Sequence, residues 1–179
     1  MAAALVMRWV RLAAAATAIA FIAILAFHGE RPEPGLVNFQ AAGLLADWAV
    51  DGVTSVTVIA GGKQRSFHRL PGNHWRADEE GAHPVATERI NAGLALLRDS
   101  APQRWLAADE IGDRSLAEFG LDPPRLTVTM GKTGGESITI GFGGTNPLGL
   151  ARYARIDGRP GLVLLQSFVA DPWEQVAEQ

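Results

Sequence analysis

The chain has 179 residues, of which 47% are apolar and 20% charged, a composition that is typical of a globular protein and argues against intrinsic disorder. It contains no cysteine, which excludes disulfides, thiolate metal sites and thiol catalysis. The net charge of −3 becomes more negative once the basic N-terminus is set aside, and an acidic domain is a poor ligand for nucleic acid.

The N-terminal region has the features of a membrane segment. From Leu12 to Phe27 there are 16 residues without a charge, and Arg8 and Arg11 precede them. A helix of this length spans about 24 Å of a hydrocarbon core that is roughly 30 Å thick. Trp9 and Val10 can extend it at the interface, and the side chains of the two arginines can reach the headgroups. The positive-inside rule places the N-terminus in the cytoplasm. We therefore predict that residues 1–27 are a single-pass anchor in a bacterial inner membrane, with a periplasmic or otherwise extracytoplasmic C-terminal domain.

A cleaved secretory signal is the alternative, because its hydrophobic region would also fit these 16 residues. No A-x-A pattern stands at the boundary, which favours the uncleaved anchor, and both interpretations give the same compartment. We predict a linker over residues 28–52. Its first part, His28–Gly35, contains two prolines, and its apolar second part, Leu36–Asp51, is expected to pack partly against the domain. Residues 53–179 are predicted to form one domain.

The first half of this domain reads as an antiparallel meander. Val53–Ala60 alternates apolar and polar residues, and Gly61 and Gly62 supply a two-residue hairpin turn. Lys63–Leu70 is the predicted return strand. Asn73–Arg76, centred on Trp75, is a short third strand.

Two helices are predicted next. Pro84–Arg98 is amphipathic, with an apolar stripe that comprises Ala86, Ile90, Leu94 and Leu97. Arg114–Phe119 is a short helix that Asp113 is expected to cap. Gly120 is expected to end it in a left-handed conformation, with Leu121 contacting Leu116.

A second meander follows these helices. Leu126–Met130 and Ile138–Phe142 pair across a loop at Gly131–Glu136, Leu150–Ile156 pairs with Leu162–Leu165, and a helix opens at Asp171. The predicted fold class is α+β, with a transmembrane helix followed by antiparallel meanders and a packed amphipathic helix. Because each half is a meander followed by a helix, two similar halves that arose by duplication are an open alternative.

The segments HRLPGNHW, EFGLDPPRLTV and SITIGFGGTNPLGLARYARIDGRPGLVLL together resemble the bacterial family called domain of unknown function 4340 (DUF4340). The resemblance covers Val53–Leu165. Its most specific part is a turn formed by Phe119, Gly120, Leu121, Asp122, Pro123 and Pro124, where Phe119 replaces the usual tyrosine. The resemblance implies one N-terminal anchor and an accessory role beside ABC transporters of the gliding-motility type. It implies no catalytic residue.

No catalytic or cofactor motif stands out in the sequence. His68 and His74 could approach each other near Asp78, Glu79 and Glu80, but their spacing matches no zinc motif, and His28 and His83 stand alone. The glycines of GFGGTN lack the third glycine of a dinucleotide loop and are interpreted as turn residues. No serine lies in a G-x-S-x-G elbow. We therefore predict no enzyme activity, no cofactor and no metal.

The leading hypothesis is a non-catalytic accessory subunit that contacts an integral membrane complex. An exposed strand edge or the Gly144–Leu150 loop is expected to make this contact. The candidate surface for a partner or ligand comprises Trp75, Gly144, Asn146, Pro147 and Tyr153. Two alternatives remain open. One is a periplasmic module that binds a glycan or small apolar ligand by stacking on Trp48, Trp75, Trp105 and Trp173 together with Tyr153. The other is a metal-dependent enzyme built on the histidines.

Overall fold

The computed structural model describes residues 42–78 and 87–178, and these residues form an α+β fold with eight strands in one sheet. The strands are β1 (Val53–Ala60), β2 (Lys63–Leu70), β3 (His74–Ala77), β4 (Arg104–Leu106), β5 (Leu126–Lys132), β6 (Ser137–Thr145), β7 (Ala151–Ile156) and β8 (Leu162–Gln166). The α-helices are α1 (Thr87–Asp99), α2 (Ala108–Ile111) and α3 (Asp171–Ala177). Short 3-10 turns occupy Val50–Gly52, Leu116–Phe119 and Ser167–Val169.

The sheet order is β3-β2-β1-β5-β6-β7-β8-β4, and every neighbouring pair is antiparallel. The first meander, β1 to β3, and the second, β5 to β8, are joined because β1 pairs with β5 in the middle of the sheet. Strand β4 crosses over to add an edge strand beside β8. The two meanders predicted from the sequence are therefore parts of one continuous sheet.

One face of this sheet forms the main core beneath α1 and α3. The alternation in β1 directs Val56 and Val58 into it, as predicted, and a register shift between Val53 and Ser55 turns Val53 inward as well. Strand β5 adds alternating buried residues of the same kind, and β6 adds Ile140 and Phe142. The fold thus follows the period-two pattern of a sheet that is covered by helices on one side.

Helix α1 packs on this core through the predicted stripe. Ile90, Leu94 and Leu97 are buried, whereas Ala86 lies outside the described residues. The helix also meets α3 at Gly93, which lies against the fully buried Trp173. A glycine at this position lets a large indole lie against the helix backbone.

The chain before β1 belongs to the same core. Leu44, Leu45, Trp48 and Val50 are all buried in it. The amide nitrogens of Leu44 and Leu45 donate to the carbonyl oxygens of Ser100 (2.9 Å) and Leu97 (3.1 Å), and so they satisfy groups at the end of α1. Core packing therefore includes residues on the N-terminal side of Val53, where the sequence placed a linker.

The second face of the sheet is polar over β1, β2, β5 and β6. Hydroxyl groups pair across neighbouring strands, with 3.1 Å between Oγ1 of Thr57 and Oγ of Ser66 and 3.0 Å between the Oγ1 atoms of Thr129 and Thr139. Next to this polar area, a small apolar cluster built on Phe119, Leu121 and Leu162 lies over the end of β6 and over β7 and β8. This cluster borders the candidate site.

Two elements were not predicted from the sequence. Strand β4 has three residues and α2 has four, which is too short for either to show a hydrophobic period. The third strand is His74–Ala77 rather than Asn73–Arg76, a shift of one residue. The last helix opens at Asp171 with Pro172 in its first turn, as predicted.

The predicted anchor, Leu12–Phe27, and the arginines Arg8 and Arg11 lie outside the described residues, as does the first part of the predicted linker. Within residues 42–78 and 87–178, no helix has the length and apolar character needed to cross a membrane.

Candidate functional site

The turn over residues 119–124 lies directly on strand β6. A Cβ atom added to Gly143 would stand 2.3 Å from the carbonyl oxygen of Phe119, and one added to Gly120 would stand 2.7 Å from the amide nitrogen of Gly144. At Gly141 the added atom would meet the ring of Pro124 at 3.3 Å. The glycines of GFGGTN therefore allow two backbones to touch, and the interpretation of them as turn residues is wrong, because all three lie within β6.

Local hydrogen bonds hold this turn in shape. The backbone N–H of Ser115 donates to the Glu118 carboxylate (2.9 Å), so Ser115 rather than Asp113 stands at the start of the element. Gly120 is left-handed with φ 67°, and the N–H of Leu121 donates to the carbonyl of Leu116 (2.9 Å). The predicted left-handed end at Gly120 is confirmed, and these hydrogen bonds form a Schellman motif. The element itself is a 3-10 turn, Leu116–Phe119, instead of the predicted helix over Arg114–Phe119.

A cleft of about 280 Å³ opens between this turn and the start of the β6–β7 connection. We call it the Tyr153 cleft, and it is lined by Arg114, Glu118, Phe119, Thr145, Pro147 and Tyr153. The rings of Phe119 and Tyr153 meet edge to face, with centroids 5.0 Å apart. The Arg114 guanidinium lies 5.1 Å from the Phe119 ring centroid and donates to the carbonyls of Glu110 (2.6 Å) and Ile111 (3.0 Å). The cleft thus combines aromatic walls with a fixed positive charge.

The connection between β6 and β7, residues 146–150, is organised by Asn146, and we call it the Pro147 loop. The side-chain oxygen of Asn146 accepts hydrogen bonds from the N–H groups of Leu150 (3.1 Å) and Ala151 (3.2 Å), and its backbone carbonyl accepts one from Gly149 (2.8 Å). Asn146 therefore shapes the loop from within through its side-chain oxygen. Gly144 lies just before the loop, under Phe119.

The Pro147 loop carries large apolar side chains into solvent. Leu148 is 78% exposed and Leu150 is 69% exposed, and Phe168 beside them is 51% exposed. Ser167 joins the two segments, because its N–H donates to the carbonyl of Leu150 and its hydroxyl to that of Gly149 (3.2 Å). We call Leu148, Leu150 and Phe168 the apolar patch.

Trp75 does not share this surface. Its side chain is only 5% exposed, its indole N–H donates to Oδ1 of Asn91 in α1 (2.9 Å), and the Arg69 guanidinium lies 4.9 Å from the ring centroid. Trp48 and Trp173 are buried too, and of these four tryptophans only Trp105 is exposed. The prediction of a stacking surface at Trp75 is wrong, because the indole fills the core under α1.

Among the described residues, the histidines do not form a cluster of metal ligands. His68 lies opposite Arg76 across β2 and β3, with its Nδ1 atom 3.6 Å from a carboxylate oxygen of Asp78, while His74 lies opposite Leu70. Among residues 42–78 and 87–178, no group of three or more His, Asp or Glu side chains is placed to hold a metal ion. His28, Glu79, Glu80 and His83 lie outside those ranges.

Four side chains have pKa values that the fold shifts, and one of them is Arg98, whose pKa is raised by its hydrogen bonds to the Asp99 carboxylate. A hydrogen bond from Arg159 lowers the pKa of Asp47, and one from Arg98 lowers the pKa of Asp99. Burial lowers the pKa of Arg69, whose guanidinium also donates to the carbonyl of Asp51 (2.6 Å). None of the four lines the Tyr153 cleft.

Two larger open clefts, of about 580 and 660 Å³, lie on either side of Arg125 at the β1–β2 hairpin. The first includes Lys63 and Glu174, and the second includes Pro123 and Pro124. Arg125 is exposed and makes no ion pair with any residue in the described part of the chain. Nothing in the sequence pointed to these clefts, because residues far apart in the chain form them.

Comparison with known families agrees with the resemblance seen in the sequence. The family profile described as domain of unknown function (DUF4340) matches residues 75–176, more than half of the chain. No curated protein and no solved structure matches the chain significantly. The match spans β3 to α3 and so includes the 119–124 turn, the Tyr153 cleft and the Pro147 loop. The chain belongs to the DUF4340 family.

Proposed function

We propose that this protein is a non-catalytic accessory subunit that Leu12–Phe27 holds at a bacterial inner membrane. Its extracytoplasmic domain contacts an integral membrane complex, and the complex that we propose is an ABC-type transport system. The observation that carries the proposal is the Tyr153 cleft and the exposed loop beside it, on a domain that follows 16 uncharged residues. Tethering raises the effective concentration of the domain at the membrane, so a small interface suffices.

The Tyr153 cleft is the surface that we assign to the partner. It offers an aromatic pair and the Arg114 guanidinium, which are residue types enriched at protein interfaces. The sheet edges are less suitable, since β3 has four residues and β4 has three.

Membrane topology tests the first part of this proposal. Alkaline phosphatase fused after Gln179 is expected to be active, because it folds only outside the cytoplasm, and a green fluorescent protein fused there is expected to stay dark. The opposite pattern, or recovery of the unfused full-length protein in the soluble cytosolic fraction, would contradict the anchor.

Site-directed cross-linking tests the partner surface. Because the chain lacks cysteine, Thr145→Cys places a single photoreactive label at the cleft, and Thr133→Cys places the same label at the other end of β6 as a matched control. We expect an adduct with an integral membrane protein in native membranes from position 145 alone. Adducts of equal yield from both positions, or none from either, would contradict the assignment of the cleft.

A second candidate is a periplasmic module for a small ligand. The tryptophans that suggested a glycan are mostly buried, and the observation that now favours a ligand is the pair of clefts beside Arg125. A small organic anion suits this position. Screening such anions by thermal shift separates the candidates, because a ligand of the folded state raises the melting temperature and Arg125→Gln removes that rise.

A further inference from the structure

The apolar patch has the composition of a surface that enters lipid. Residues 145–150 and 166–170, which surround it in the chain, contain no charged side chain. Leu148 and Leu150 are the most exposed large apolar residues in the part of the chain that the structure describes. Transfer of this patch to an apolar environment therefore moves no charge out of water.

Most backbone N–H groups of the Pro147 loop are paired within the protein. The N–H groups of Gly149, Leu150 and Ala151 are all bonded to Asn146, and Pro147 has no N–H to satisfy. The carbonyls of Gly149 and Leu150 accept hydrogen bonds from Ser167. Peptide groups that are already paired lose little when water is removed. The N–H of Leu148 and the carbonyls of Pro147 and Leu148 have no partner among the described residues, so they keep contact with water or headgroups in the interfacial layer.

The shape of the patch and the length of the tether favour lipid over a protein groove. Leu148 and Leu150 lie on a turn at which Gly149 is left-handed with φ 71°, and both side chains are mostly exposed, so they extend into solvent. The 14 residues of 28–41 reach at most about 50 Å, more than the roughly 40 Å diameter of a domain of this length, so the loop can touch the bilayer surface.

We propose that the apolar patch inserts into the interfacial layer of the bilayer and orients the domain there. The inference rests on the proposed function, because only an anchored domain is held close enough for a small apolar patch to bind. Insertion of Leu148 brings the adjoining Tyr153 cleft to the level of the headgroups, where the extracytoplasmic loops of an integral membrane complex lie.

An environment-sensitive fluorophore tests the proposal in the full-length chain. Leu148→Cys carries a nitrobenzoxadiazole label into the patch, and Thr133→Cys carries it to the β5–β6 turn, about 30 Å away along β6. Both positions are exposed, so neither label disturbs the core. The proteins are reconstituted into protein-free vesicles of phosphatidylethanolamine and phosphatidylglycerol, with and without lipids that carry a doxyl quencher.

We expect the emission of the label at position 148 to shift to the blue and to be quenched by doxyl lipids. The label at position 133 should keep the emission wavelength that it has in water. If the protein floats with the vesicles but both labels keep the emission seen in water, the insertion proposal is wrong and the anchor is not contradicted. Protein that does not float overturns the anchor, and the insertion with it. A blue shift at position 148 that appears only in native membranes overturns the lipid assignment and gives the patch to a protein partner.

Discussion

Gly143 lies where the backbone of the 119–124 turn comes nearest to strand β6. A Cβ atom there would stand 2.3 Å from a backbone carbonyl oxygen, which cannot rotate away as a flexible side chain would. We therefore predict that Gly143→Ala displaces the turn and destabilises the domain by about 1–3 kcal/mol, the usual cost of an overpacked contact. Urea unfolding measures the change.

The neighbouring glycine provides the matched control for this substitution. An added Cβ on Gly144 meets its nearest atom at 3.5 Å, an ordinary van der Waals contact. Gly144→Ala should leave the unfolding midpoint nearly unchanged. Equal destabilisation by both substitutions would show that the loss reflects the β6 strand and not the contact with Phe119.

Single residues show the limit of sequence reasoning at this site. The sequence singled out Phe119, Pro147 and Tyr153, and the structure brings these three together at one cleft. It also singled out Trp75, which is buried under α1. An exposed aromatic and a buried one look the same in a single sequence, because burial depends on contacts between distant segments. The glycines of GFGGTN were noticed in the sequence, but their role depends on the 119–124 turn, which contacts them only in the folded protein.

At the scale of elements, α1 and α3 meet at Gly93. A Cβ atom there would stand 2.5 Å from the Trp173 ring, which is fully buried and has no space to move. Alanine raises helix propensity by about 1 kcal/mol over glycine, but the clash costs about 1–3 kcal/mol, so Gly93→Ala should be destabilising on balance. Thermal unfolding measures the difference.

Gly52 supplies the control for this helix contact. Its added Cβ would approach the Lys132 side chain no closer than 3.7 Å. Gly52→Ala should therefore be close to neutral. A melting temperature that rises in Gly93→Ala would mean that propensity outweighs packing and that the two helices can separate at little cost.

The segment before β1 is also tied to the β7–β8 hairpin, through Asp47 and Arg159. Nη2 of Arg159 donates to both carboxylate oxygens of Asp47, at 2.9 and 2.8 Å, and lowers the pKa of that carboxyl. The stabilisation is complete above the pKa of the unfolded carboxyl, about 3.9, and is lost as the pH falls through the lower folded-state pKa. Asp47→Asn should cost roughly 0.2–1 kcal/mol at neutral pH, because the pair is exposed.

Urea unfolding at neutral pH and at about pH 2 tests this linkage. The difference between the native chain and Asp47→Asn should disappear in acid. Asp113→Asn changes a carboxylate that forms no ion pair with the described residues, so it should have no effect at either pH. A difference for Asp47→Asn that persists in acid would assign the loss to the amide itself.

Most elements could be located from the sequence because their signals are local. Strands β1 and β2 have the bounds that the alternation and the Gly61–Gly62 turn predict, and α1 shows the predicted stripe. The order of strands could not be derived, since the pairing of β1 with β5 joins residues about 70 positions apart by contacts that leave no periodic trace. Strand β4 was missed because its three residues are too few to show a period, and its partner among the described residues, β8, follows much later in the chain.

At the scale of the whole molecule, the described residues form a one-sided sheet. Helices and the segment before β1 cover one face, while the other is polar except near the 119–124 turn. The exposed apolar side chains of the Pro147 loop lie at the end of β6 next to that turn. The proposed partner surface and the proposed lipid contact are therefore neighbours, so that one orientation of the domain serves both.

The last prediction concerns where the folded domain begins. A fragment that starts at Gln40 keeps the four buried side chains that precede β1, whereas one that starts at Val53 loses Leu44, Leu45, Trp48 and Val50. Each large side chain removed from a core costs about 2–5 kcal/mol, so the combined loss is as large as the whole stability of a typical domain, about 5–15 kcal/mol. It would also expose the core and free the carbonyls of Leu97 and Ser100. We expect cooperative thermal unfolding from the longer fragment and none from the shorter one. Leu45→Ala in the longer fragment should lower its melting temperature without abolishing the transition, and equal transitions in both fragments would mean that the core closes at Val53.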